Sequence, residues 1–115
     1  MTSLYAHVEH IRALLSNGDW TNGMTRDDFD SQDDYDEANS ALSWLSDALD
    51  VEWTTHADKT FKGARILVAF GGPNIWVNTM TNEVEGFWSG DPPVKLYFGL
   101  NDELEEACSE WFACT

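Results

Sequence analysis

At 115 residues the chain can bury one hydrophobic core but hardly two, and its 43% apolar and 13% aromatic content, six Trp included, excludes a disordered acidic tail. Against 21 Asp and Glu stand only six Lys and Arg, a formal net charge of -15. That balance argues against direct binding of nucleic acid, whose phosphates are held by Lys and Arg, and favours a basic partner. Solubility alone, or adaptation to high salt, is the plainer account of the same charge.

No run of about 18 apolar residues is present, and the N-terminus lacks the basic segment and apolar stretch of a signal peptide. A cytoplasmic protein with no membrane partner is therefore expected. Cys108 and Cys114 have neither redox CxxC spacing nor zinc-knuckle spacing, so free thiols are expected.

In chain order, Leu4, Val8, Ile11 and Leu15 recur at four, three and four, the stripe of an amphipathic helix. Thr2 or Ser3 can cap it and Gly18 can end it. The polar stretch 19–30, with Asn22-Gly23 as a turn, reads as a surface loop. Tyr35, Ala38, Leu42, Leu45 and Leu49 then predict one second helix, capped by Asp30 or Ser31. Asp33, Asp34, Asp36 and Glu37 suit its positive end, whereas Asp47 and Asp50 near its C-terminal end oppose the dipole.

Beyond Asp50 the period becomes strand-like. Residues 51–55 suit an edge strand, and 65–70 form an apolar run suited to a central one. Gly71-Gly72-Pro73 interrupts the chain before 74–79, Thr81-Asn82 supplies a turn before 84–88, and Asp91-Pro92-Pro93 precedes a short edge strand over 94–98. A last helix runs from Asn101 to about Phe112, with Leu104, Ala107, Cys108 and Trp111 on one face. The expected architecture is one α+β domain over residues 1–115: two N-terminal helices, an antiparallel meander of three to four strands and a C-terminal helix.

Seven of the eleven residues over 27–37 are acidic, which raises the question of a calcium loop. A loop starting at Asp28 needs Gly at its sixth position and Glu at its twelfth, where this chain has Asp33 and Asn39. His7 and His10 lie three apart on the first helix without an evident third ligand, and His56 is distant. Neither a nucleophile elbow, nor a phosphate-binding Gly-Lys-Thr loop, nor a dinucleotide glycine fingerprint is present. No metal and no cofactor is expected, and a binding protein is favoured over an enzyme. Trp76 and Trp88 fall on the two arms of a hairpin, where aromatic contacts across strands would stabilise the sheet.

The stretch Gly71-Gly72-Pro73-Asn74-Ile75-Trp76 resembles segments of small phage and mobile-element proteins. In size and charge the chain resembles phage anti-CRISPR and antirestriction proteins of the nucleic-acid-mimic type, a likeness that carries no residue-level motif. The resemblance implies an inhibitor whose acidic surface imitates DNA phosphates and blocks nucleic-acid access to a host defence complex. Asp27, Asp28, Asp30, Asp33, Asp34, Asp36 and Glu37 form one candidate partner-binding patch, and Asp102, Glu103, Glu105, Glu106 and Glu110 a second. The expected partner is a basic, nucleic-acid-binding host protein. An immunity protein that neutralises a basic toxin nuclease is the alternative, and a small metal-dependent enzyme a third.

Overall fold

The computed structural model describes residues 3–21 and 25–114. Thr2 and the Asn22-Gly23 turn lie outside them. Helix α1, Leu4–Ser16, begins where the Ser3 hydroxyl accepts from the Ala6 amide, and ends at Asn17 before Gly18 takes a φ of 66°. That left-handed conformation lets Asp19 N–H reach back to the Leu14 carbonyl. After a short 3-10 turn, Arg26–Asp28, come α2, Gln32–Ala38, and α3, Ala41–Ser46.

The single helix expected across 35–49 is thus two. Asn39 closes α2, and the Ser40 hydroxyl accepts from the Ser43 amide to start α3 on a new axis. A capping serine within the apolar pattern outweighs the pattern's continuity. Ala41 and Leu45 point into the core, whereas Leu42 and Leu49, expected on the same stripe, are turned out. Asp50 belongs to the following strand, which removes its conflict with a helix dipole.

Strands β1, Asp50–Thr55, β2, Phe61–Ala69, β3, Asn74–Asn78, β4, Glu83–Phe87, and β5, Val94–Tyr97, form one antiparallel sheet in sequence order. Five strands form where three to four were expected, because both short edge segments pair. The registers align Val51, Ile66, Val77, Val84 and Leu96 across all five strands, and Ile66, Val77 and Val84 are fully buried. Alternation makes this row one face of the sheet, and the helices cover it. Helix α1 packs on β4 and β5, and α4, Asp102–Ala113, packs on β2 and α3. Asn101 links the two ends of this layer: its side-chain oxygen accepts from the Leu104 amide to cap α4, and its side-chain nitrogen donates to the Leu15 carbonyl of α1.

Helix α1 approaches the sheet at Gly86. A β-carbon there would lie 2.3 Å from Val8 Cγ2 and 2.9 Å from Leu4 Cδ1. Gly86→Ala should therefore force α1 outward and lower stability by about 1–3 kcal/mol in urea unfolding. In a Val8→Ala background the same substitution should cost distinctly less, because the added methyl gains room.

Candidate functional site

All twelve candidate carboxylates are exposed. The loop before α2 and the helix itself carry the first seven. Asp28 accepts from the Thr25 amide at 2.8 Å and so shapes the 3-10 turn, and Asp36 accepts from the Gln32 amide group at 2.8 Å. Asp33 and Asp34 occupy the first turn of α2, where their charge meets the positive end of the backbone dipole.

The second group divides along α4. Asp102, Glu105 and Glu106 border a shallow hollow shared with Lys62 of β2, which offsets part of their charge. Glu110, two turns on, lies instead on a groove of about 610 Å³ between α3 and α4. Glu37 of the first group lines the same groove, with Leu42 and Trp111 also in its lining. One residue from each acidic segment, Glu37 and Glu110, thus borders this groove, whose lining also holds Ser40, Ser43 and Ser46, while the other ten candidate carboxylates lie outside it. Leu42 and Trp111 are the residues that sequence reasoning missed, since both were assigned to core stripes. The readable signal was Ser40, a capping residue set inside the helical pattern.

Three of the six cations are engaged away from both acidic segments, whereas Arg26 precedes Asp27 and donates to the Phe29 carbonyl within the first. Arg12 pairs with Glu9 on α1. Arg65, on the sheet face away from the helices, donates to Glu85 at 2.9 Å, approaches Glu52 at 3.8 Å and lies 4.2 Å above the Trp76 ring. Lys95 stands 3.7 Å from the other oxygen of Glu85, whose side chain is only 8% exposed. Two cations thereby compensate one buried carboxylate, and the Trp76 ring helps hold Arg65 in place.

Trp76 and Trp88 do not form the expected aromatic pair. Trp76 stands opposite Glu85 under Arg65, while Trp88 follows β4 and packs edge-on to His7 of α1 at 5.8 Å. One-residue alternation puts them on opposite sides of the sheet. His7 is held in that ring contact, and His56 lies in the β1–β2 turn. Among the described residues, no group of three or more His, Cys, Asp or Glu side chains is arranged to hold a metal ion. No helix among them is long and apolar enough to cross a membrane.

Comparison with known proteins finds no matching family model, no matching curated protein and no matching solved structure. The site is therefore read from its own chemistry.

Cys108 and Cys114 are both free, the first on the buried face of α4 and the second exposed at the groove. Burial, with the nearby Glu105 charge adding to it, pushes the Cys108 thiol up to about 12. A thiol-specific disulfide reagent at pH 8 should titrate one thiol in the native protein and two in denaturant. Since the folded thiol keeps its proton where the unfolded one has lost it, stability should fall as pH rises from about 9 to about 12. Cys108→Ala should flatten that part of the pH profile.

Proposed function

We propose that the protein inhibits a nucleic-acid-binding host defence complex of the anti-CRISPR or antirestriction kind. It acts in the host cytoplasm by docking on a basic surface and blocking nucleic-acid access, without catalysis and without a cofactor. The observation that carries this reading is that one carboxylate from each acidic segment, Glu37 and Glu110, borders a single groove that also exposes Leu42 and Trp111. Exposed carboxylates around an apolar centre have the anatomy of a protein interface, in which a few apolar or aromatic contacts supply affinity and charges supply steering.

Electrostatic scale supports the mimic form of the proposal. The twelve carboxylates of the two segments match the phosphate charge of about 20 Å of duplex DNA. The molecule measures 46 × 43 × 24 Å, so such a stretch fits along either of its two longer dimensions. Arg12, Arg65 and Lys95 are paired with Glu9, Glu52 and Glu85, none of which belongs to either segment. Apart from Arg26 in the turn before α2, the negative charge of α2 and of the far end of α4 is thus left for a partner.

Affinity capture from a host lysate at low salt, followed by competition with the captured protein's own DNA or RNA, tests the proposal. The captured protein should be basic and should lose its nucleic acid as this chain saturates it. Exchange of Asp33, Asp34 and Asp36 for Asn and of Glu37 for Gln should lower the association rate about tenfold or more at low ionic strength, with a smaller change in dissociation. Above about 0.15 M salt, where the Debye length is about 8 Å or less, the difference between the two proteins should shrink. A partner that keeps its nucleic acid at saturation would refute mimicry.

A further inference from the structure

The division of the expected helix at Asn39 and Ser40 leaves an apolar side chain that the core does not use. Ala41 and Leu45 of α3 are buried, but Leu42 between them is 43% exposed and lines the groove with Trp111. Glu37 precedes α3 in the chain and Glu110 belongs to α4, and among the described residues no Lys or Arg lines this groove. Its chemistry is a small apolar patch of Leu42 and Trp111 set among Ser40, Ser43 and Ser46 and bordered by carboxylates from two separate elements.

We infer that this groove receives one basic amphipathic helix of the partner, an assignment that rests on the acidic-docking reading above and specifies the segment it engages. The two walls are themselves helices, so a third helix laid along them would complete a packed layer at the usual interaxial distance of about 8–10 Å. Helix α3 has six residues and extends roughly 9 Å, and α4 lines the groove only at its C-terminal end, through Glu110, Trp111 and Cys114, so the groove can align with about two turns of a ligand helix. Apolar side chains spaced three and four apart on that helix would cover Leu42 and Trp111, while flanking Lys or Arg would reach Glu37 and Glu110.

Neither half of this chemistry suffices alone. A plain polycation would satisfy the carboxylates and leave Leu42 in water, whereas an uncharged apolar helix would desolvate Glu37 and Glu110 without a partner. A second copy of the chain fits poorly, because each carries a net charge of -15 and would bring its own acidic segments to the contact.

The probes are three synthetic peptides titrated against the intact protein. One is an amphipathic Leu/Lys helix of about 14 residues, the second a scrambled peptide of the same composition, and the third an oligolysine of the same charge. The amphipathic peptide should bind at least about tenfold more tightly than the scrambled one and should shift the Trp111 indole resonance. Leu42→Gln, a change at an exposed position, should remove at least about fivefold of that preference and leave oligolysine binding unchanged. Glu37→Gln with Glu110→Gln should weaken all three.

Equal binding of the first two peptides, or a preference that Leu42→Gln does not alter, would overturn the groove assignment. Oligolysine reports on the acidic surface separately: salt-sensitive oligolysine binding without the amphipathic preference would remove the groove and retain the acidic-docking reading, whereas no oligolysine binding at low salt would count against both. Dimerisation abolished by Leu42→Gln would give the groove to a second copy and equally overturn the assignment.

Discussion

Val8 of α1 lies against the backbone of Gly86 in β4 at a separation that leaves no room for a β-carbon. This approach sets how deeply the first helix sits on the sheet. With α1 at that depth, Leu4 and Val8 close over β4, and Leu15 reaches the end of the layer where Asn101 ties it to α4. Because α1 and α4 share one side of the sheet, the apolar row from Val51 to Leu96 is covered by helix. The groove between α3 and α4 depends on the same arrangement, since α4 is held on one side by β2 and at its start by the Leu15 carbonyl.

Charge is distributed according to that layering. The sheet face without helices holds Arg65 and Lys95 around Glu85, in a local balance that keeps a buried carboxylate compensated. The helical layer carries the exposed acids of α2 and α4, with Lys62 facing only the first part of α4. Segregation of this kind leaves the repulsion among Asp33, Asp34, Asp36 and Glu37 largely in solvent, where screening keeps its cost to folding small.

The fold class was legible because α1 carries a clear period of four, three and four, and because the segments after Asp50 turn strand-like between marked turns. The acidic segments were equally plain in composition, but that Glu37 and Glu110, 73 residues apart, would border one groove was not, since that follows from the packing of α3 on α4. The break at Ser40 was obscured by a periodic run of Tyr35, Ala38, Leu42, Leu45 and Leu49 that continues across it. A local hydroxyl–amide bond decided the matter, and Leu42 moved from the predicted core to the surface. Strand register had a similar effect on Trp76 and Trp88. Their spacing marked a hairpin, but which side of the sheet each occupies follows from the pairing of Trp76 with Glu85. Glu85 itself could not be distinguished from the other acids before Arg65 and Lys95 were brought beside it.

The two outer strands of the meander have a bearing on solubility that net charge alone would not supply. An open sheet exposes unpaired amides and carbonyls along both margins, a template onto which strands of other molecules can add. On one margin β1 carries Asp50 and Glu52, and its pairing shifts between Thr54 and Thr55, so an incoming strand meets like charge and an interrupted ladder. On the other, β5 is four residues long and follows Pro92 and Pro93, which have no amide hydrogens to offer. Each margin is therefore blunted by a different means. Where salt screens the charge of Asp50 and Glu52, the interrupted ladder of β1 and the prolines before β5 remain, so the open sheet is still discouraged from growing into a ribbon.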